Sequence, residues 1–312
     1  MRQGEIASKG KWTGNPTGGV KAPEPILLPD PSRRFADTAA RLETLASGHP
    51  MEEWLRFMSR LSEAQHAAAR DLPLPPATDP IDVKLAIDAR MPPLAADGHR
   101  RPPEWRDILV HILDEDGLTG ATAALSDAAA RLKSLDADGV ELLANRFLHG
   151  EVASEDAAAV LFLAAALQVY FTRMAANLKS PDLRLLTQRG LCPCCGSTPV
   201  AGTITASGDN PGTRYLHCSL CSTAWNHVRT VCITCGESRS VSLEGIEGDA
   251  GVVRAETCKD CSTYAKMIYL AKDTKADPFA DDLASLGLDF LVAEVGWSRH
   301  APNPLLLSAS AG

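Results

Sequence analysis

Eight of the nine cysteines in this sequence fall into four Cys-x-x-Cys pairs: Cys192 with Cys195, Cys218 with Cys221, Cys232 with Cys235, and Cys258 with Cys261. A CxxC turn lets two thiolates converge on one ion from a tight loop, and two such turns supply four sulfurs in a tetrahedron. The intervals between pairs are 22, 10 and 22 residues, so adding 40 to each of the first four positions gives the second four. The repeat extends past the sulfurs: Gly196 matches Gly236, Gly208-Asp209 matches Gly248-Asp249, Arg214 matches Arg254, and Ser222-Thr223 matches Ser262-Thr263. Two copies of one module stand in tandem, each a CxxCG turn, a 22-residue excursion and a second CxxC.

The duplication groups the first four cysteines on one metal ion and the last four on another. The alternative joins Cys218/Cys221 to Cys232/Cys235 across the ten-residue gap and forces Cys192/Cys195 onto Cys258/Cys261, against the repeat. Sulfur-only tetrahedral ligation suits zinc or a rubredoxin-type single iron, and spacing does not separate them. A cubane cluster fits a duplicated pair of knuckles less well, and free thiols or four disulfides remain the non-metal alternatives. The segment has too little apolar content to fold unaided, so metal binding is expected to contribute much of its folding free energy. The ninth cysteine, Cys194, sits inside the first knuckle where the second copy has Thr234. It reads either as a bystander thiol or as an exchangeable, redox-sensitive extra ligand.

The elements that must position these sulfurs divide the chain into five stretches. Residues 1 to 29 are rich in Gly, Pro and Lys without periodicity and read as a disordered or loosely docked arm. Residues 30 to 184 read as an all-helical domain. Asp30 and Pro31 open a helix carrying Phe35, Leu42 and Leu45 that Gly48 ends, and a second carries Trp54, Met58 and Leu61 up to Pro73. After a proline-rich connection, Trp105, Ile108, Leu109, Ile112 and Leu113 follow helical spacing, with further helices at about 121 to 134, 138 to 148 and 154 to 178. Residues 185 to 230 and 231 to 271 are the two modules, and 272 to 312 are a C-terminal helical segment and tail. The fold class expected is therefore a mainly α N-terminal domain followed by two small rubredoxin-like, or zinc-ribbon-like, modules and a helical segment.

Charge and motif content narrow the function classes. A formal charge of -8 in 312 residues disfavours non-specific attraction to nucleic acid or anionic lipid. Between residues 190 and 270, six Lys or Arg stand against seven Asp or Glu, a local net of -1 that suits a nucleic-acid-binding ribbon poorly. The most apolar run, residues 157 to 167, falls short of the ~20 residues a bilayer requires, and the N-terminal sequence has no apolar signal core, so a soluble cytoplasmic protein is expected. No phosphate loop, dinucleotide fingerprint or nucleophile motif is present in the sequence, which points away from an enzyme. His66, His111 and His149 lack any paired ligand spacing, and the run His99, Arg100, Arg101 reads as a solvated loop or an aid to partner docking.

The strings CPCCGSTPVAG, RYLHCSLCSTAWNHVRTVCITCG, ETCKDCSTYAKMIY and ADPFADDLASLGLDFLVAEVGW resemble the formate dehydrogenase accessory protein family (FdhE). The resemblance covers roughly residues 185 to 300, and the helical first half agrees with it in size and character. It implies a cytoplasmic, non-enzymatic maturation factor that binds the immature catalytic subunit of a respiratory formate dehydrogenase. It also implies two iron ions held by Cys192, Cys195, Cys218, Cys221, Cys232, Cys235, Cys258 and Cys261, with zinc the alternative. No catalytic residue carries over. Arg214, Trp225, Arg229 and Arg254 are candidates for a partner surface by residue type, with Tyr264 and Lys266 following the last knuckle. Trp225 also suits the core of a small module, and the recurrence of Arg214 at Arg254 suits a structural role beside metal-thiolate centres. Electron transfer through rubredoxin-like iron is the second reading.

Overall fold

The structure, a computed structural model, describes residues 22–207 and 210–306. The first twenty-one residues of the expected arm, the Gly208-Asp209 element of the repeat and the last six residues of the tail lie outside the described residues.

The helical half comprises α1 (Arg34–Ala46), α2 (Glu52–Asp71), α3 (Pro80–Asp88), α4 (Trp105–Leu113), α5 (Asp116–Thr119), α6 (Ala123–Ser134), α7 (Ala137–Leu148) and α8 (Ala157–Ala176). Its organising element is α8, whose sequence AAAVLFLAAALQVYFTRMAA has no polar stripe. A helix apolar on every side is buried on every side, and α2, α4, α6 and α7 surround it. The apolar stretch Ser154–Ala176 is long enough to cross a membrane by length and composition, but 83% of its most apolar window is buried. Its polar side chains are used internally: Gln65 Nε2 on α2 donates to Ala165 O and Gln168 Oε1, each at 3.0 Å.

Helix α1 begins three residues after the position expected from Asp30. The carbonyl of Asp30 accepts from Arg34 N at 2.9 Å while its carboxylate takes Ser32 N, so Asp30 caps the turn that leads into the helix. Gly48 leaves α1 in the left-handed region, at φ +71°. The connection between α2 and α4 contains α3, which has no buried residue and so no apolar stripe to announce it. Its start is nevertheless encoded, since Asp79 accepts from Ile81 N at 2.8 Å and Pro80 opens the helix.

The helical N-terminal domain and the two cysteine-bearing modules are present as expected, but the sheet is larger than a mainly α description implies. Strands β1 (Ile26–Leu27), β2 (Pro199–Ile204), β3 (Arg214–Cys218), β4 (Ala224–Asn226), β5 (Val241–Glu244), β6 (Val253–Cys258), β7 (Thr263–Tyr269) and β8 (Ser298–Arg299) form one sheet. Its order is β1-β4-β3-β2-β7-β6-β5, with β8 also on β7. Each module contributes an antiparallel set of three, β2-β3-β4 and β5-β6-β7, and the sets are fused by parallel pairing of β2 with β7. The modules are thus one continuous sheet rather than two separate beads. The expected loosely docked arm is also corrected over its described part. Ile26 is buried against Trp225 as strand β1, and Ser180 Oγ donates to Ile26 O at 2.6 Å.

Two helices, α9 (Ala280–Ala284) and α10 (Leu286–Glu294), return the chain to the sheet. Their attachment is ionic as well as apolar. Lys266 Nζ, fully buried on β7, donates to Asp282 O at 2.8 Å and Ser285 O at 3.1 Å and pairs with the carboxylates of Asp282 and Asp289. Arg299 joins the same two carboxylates, and Tyr264 OH donates to Asp289 Oδ1 at 2.6 Å. Burial pushes the Asp282 carboxyl up, but Lys266 and Arg299 outweigh burial and hold it below its ordinary value. Two cations against two anions leave the cluster neutral, so removing one member leaves an uncompensated charge in the interior.

Lys266→Met is expected to destabilise the metal-loaded protein by about 3–5 kcal/mol, read from urea unfolding at pH 7. A loss below about 1 kcal/mol, the range of an exposed pair, would show that the cluster does not fasten the C-terminal helices.

Candidate metal centres

The structure brings the cysteines together in two groups, Cys192, Cys195, Cys218 and Cys221, and Cys232, Cys235, Cys258 and Cys261. Within each group the four sulfurs lie within 4.8 Å of one another. In the first, Cys192 and Cys221 Sγ are 3.5 Å apart and Cys195 and Cys218 Sγ 3.4 Å; in the second, Cys232 and Cys261, and Cys235 and Cys258, are each 3.7 Å apart. These separations exclude disulfides, which need about 2.05 Å. They approach the edge of about 3.8 Å that a tetrahedron of ~2.3 Å metal–sulfur bonds requires. The donor set therefore fits a tetrahedral ion.

Local geometry at all four knuckles follows one rule. The residue after the second cysteine of each pair is in the left-handed region: Gly196 and Gly236 at φ +78°, Ser222 at +59° and Ser262 at +55°. That conformation folds the chain back so that the amide of this residue reaches the carbonyl of the first cysteine, as in Gly196 N to Cys192 O at 2.9 Å, Gly236 N to Cys232 O at 3.0 Å and Ser262 N to Cys258 O at 2.9 Å. It also turns amides toward sulfur: Cys221 N and Leu220 N lie 3.3 and 3.4 Å from Cys218 Sγ, and Thr234 N lies 3.4 Å from Cys232 Sγ. Thr223 and Thr263 place their hydroxyls 3.2 and 3.1 Å from Cys221 and Cys261 Sγ. A bound thiolate would accept from each, and such partners orient and tune metal ligands. These four Ser and Thr residues are the contributors that ligand spacing alone does not reveal, although their recurrence at an interval of 40 was visible in the sequence.

The two groups differ in what surrounds them. All four cysteines of the first are buried, whereas in the second Cys235 is exposed and Cys261 half-buried. The helical domain closes the first. Leu94 N and Ala96 N donate to the carbonyls of Cys194 and Cys195 at 2.8 and 2.9 Å, and Gln168 Nε2 on α8 donates to Ser219 O at 2.9 Å. Ser222 Oγ lies between Arg34 Nε at 3.0 Å and Thr172 Oγ1 at 3.1 Å. Burial pushes the Cys192 and Cys218 thiols well up. In so enclosed a place four sulfurs can carry thiolate charge only beside a cation, which is the chemistry a divalent or trivalent ion supplies.

Beside the second group, a cleft of about 600 Å³ is lined by Leu185, Arg189, His227, Val228, Ile233 and Cys235 among others. Burial, then Arg214, holds His227 at about 4, so the cleft carries a neutral imidazole at pH 7.

The remaining candidates are sorted by burial. Trp225 is fully buried and donates from Nε1 to Arg189 O at 2.9 Å, so it is core and not partner surface. Arg214 is likewise removed from any surface. Its guanidinium pairs with Glu256 on β6 at 2.9 Å, joining the first module to the second. Burial lowers Arg214 and raises Glu256 from their ordinary values, and each partner opposes that effect on the other. Arg254 is half-buried, and Arg229, next in sequence to Val228 of the cleft, is exposed with its Nη1 donating to Gly212 O at 3.4 Å. Cys194 is buried beside the first group and is not one of its four mutually close sulfurs.

Three family models, described as FdhE N-terminal, FdhE central domain and FdhE C-terminal domain, match residues 23–187, 191–229 and 230–306. The chain belongs to the FdhE family. A protein FdhE homolog of Edwardsiella ictaluri is 38% identical over 283 residues, covering 90% of this chain and 91% of the relative. One from Pseudomonas aeruginosa is 40% identical over 291 residues, covering 90% of this chain and 93% of the relative. The crystal structure of the FdhE protein from Pseudomonas aeruginosa is similar with a TM-score of 0.82 at 36% identity, over 92% of this chain and 99% of that one.

In this FdhE-family chain the unequal enclosure should appear as unequal metal release. Metal-loaded protein challenged with a competing chelator is expected to lose one ion per chain at least tenfold faster than the other, and Cys235→Ser should abolish the fast phase alone. Release of both ions in one phase would contradict the asymmetry.

Proposed function

We propose that this chain is a non-enzymatic accessory factor for formate dehydrogenase maturation, acting in the cytoplasm on the immature catalytic subunit. The observation that carries the reading is the pairing, in an FdhE-family chain, of a four-cysteine group enclosed by helices with a second four-cysteine group open to solvent beside a cleft. The enclosed centre has the character of a brace. Its knuckle carbonyls and Ser222 are engaged by α1, α8 and the 94–96 segment, so an ion there would tie the helical domain to the sheet.

The open centre has the character of a contact. Val228 is 67% exposed at the cleft, Arg229 follows it, and Cys235 is accessible. An apolar and cationic rim around a concave, partly apolar surface suits a protein partner better than a nucleic acid. Each module would act as a rubredoxin-like unit holding one ion, with iron favoured and zinc the alternative, and all eight paired cysteines serving as ligands. No membrane insertion is part of the reading, because α8 is spent on the core.

Exposure of Cys235 favours a second reading, electron transfer through the open centre, since a ligand at the surface shortens the path to a redox partner. A reversible one-electron couple in iron-loaded protein, lost in Cys235→Ser, would support it.

The docking reading is tested by co-purifying the catalytic subunit with the paired variant Val228→Glu/Arg229→Glu in cells lacking the native chain. Capture and formate dehydrogenase activity are expected to fall at least tenfold while both metals remain bound. Unchanged capture and activity would remove the cleft from the account.

A further inference from the structure

The His99, Arg100, Arg101 run, which reads from sequence as solvated, is only partly so. Arg101 is buried, its side chain 2% exposed, while Arg100 is exposed. Together with His99, Arg106, Glu141 and Asn145, these arginines line a cavity of about 360 Å³ between the loop before α4 and helix α7. That volume is at the low end for ligand sites, which run from about 300 to 1,000 Å³.

The cavity's polar groups are unevenly satisfied. Both oxygens of Glu141 are taken, Oε1 by Arg101 Nη2 and Oε2 by Trp105 Nε1 at 2.9 Å, with Arg106 Nη1 3.9 Å from Oε2. Asn145 Oδ1 accepts from the same Arg101 Nη2 at 2.5 Å. Arg101 Nε, buried in the cavity wall, has no partner. A buried N–H left unpaired is unfavourable, and an incoming oxygen would satisfy it. Asp97 also lines the cavity, so three arginines face two carboxylates, a local net of +1 on a chain of net -8. His99 adds a polar edge held in place, its Nε2 2.8 Å from Tyr170 OH on α8.

We propose that this cavity binds a small oxyanion, a phosphate or a carboxylate, held by Arg101 Nε together with Arg100 and Arg106. The guanidinium forks of Arg100 and Arg106 match the two oxygens of such a group, while Glu141 and Asn145, by taking Arg101 Nη2, fix the guanidinium whose Nε is left to donate. The site connects directly to the enclosed metal centre. The segment that donates Leu94 N and Ala96 N to the first knuckle continues at once into the cavity wall. Occupancy of the cavity therefore stiffens a segment that is hydrogen-bonded to the first knuckle. The inference does not rest on any formate dehydrogenase partner.

Calorimetric titration of the full-length, metal-loaded chain tests it, with inorganic phosphate in one arm. The other arm uses a capped Gly-Glu-Gly peptide, its Gly-Gln-Gly analogue serving as the uncharged control. Saturable binding at one site per chain is expected, weakened at least tenfold by Arg100→Gln/Arg106→Gln, whose positions are exposed and half-exposed. Arg101→Lys, which keeps the charge but removes the Nε donor, should weaken it too, and retention of two metals verifies the fold of each variant. Binding of phosphate alone identifies a free phosphate compound as the occupant, and binding of the Glu peptide alone identifies a protein carboxylate. Absence of binding in both arms, or binding that Arg100→Gln/Arg106→Gln leaves unchanged, would overturn the proposal.

Discussion

Four sulfurs gathered inside a protein core are the constraint on which the rest of this architecture depends. Burial opposes ionisation of each thiol, and mutual repulsion opposes ionisation of more than one. Only a cation at their centre makes the enclosed arrangement stable as thiolates. Once it is present, the knuckle carbonyls and Ser222 become fixed acceptors for Leu94, Ala96 and Arg34. The helical domain can then be built around the centre rather than merely beside it. The single apolar cluster containing Phe35, Trp105, Phe171, Cys192 and Trp225 shows the consequence, since it runs without a break from the helices into the first module.

Duplication then supplies a second centre that does not repeat the first one's surroundings. The knuckle geometry is shared between the copies to within a few degrees at Gly196 and Gly236 and at Ser222 and Ser262. The side chains between the knuckles have diverged. Arg214 bridges to the other module through Glu256, whereas its counterpart Arg254 stays half-buried. Lys266 is buried under the C-terminal helices, whereas its counterpart Asn226 is on β4, whose outer neighbour is the short strand β1. The parallel pairing of β2 with β7 makes the two copies one rigid sheet, so the open centre is held at a fixed position relative to the enclosed one.

Legibility in the sequence followed the strength of local signals. The sulfur groups were readable because CxxC spacing and the interval of 40 are rigid geometric requirements, and α2, α4 and α8 because long apolar patterns have few alternatives. The sheet was not readable. Its strands are two to seven residues long, β5 is half-exposed, and β2 is buried at every position, so the alternation that marks a strand is missing. Helix α3 escaped because none of its residues is fully buried, and Ile26 because a two-residue strand depends wholly on its partner. Residue type left Arg214 and Trp225 open between a partner surface and a structural role, and burial places both in the interior. Both are common in interfaces, and both are buried here because a small module has few other large side chains with which to fill its interior.

The most direct test of the account is the metal content and visible absorption of the chain purified without oxygen from iron-replete cells. Two ions per chain are predicted, with thiolate-to-iron bands if iron is the occupant and no colour if zinc is. Fully reduced, folded protein containing no stoichiometric metal would contradict it, because the buried sulfurs of the first centre would then have to be held by packing alone.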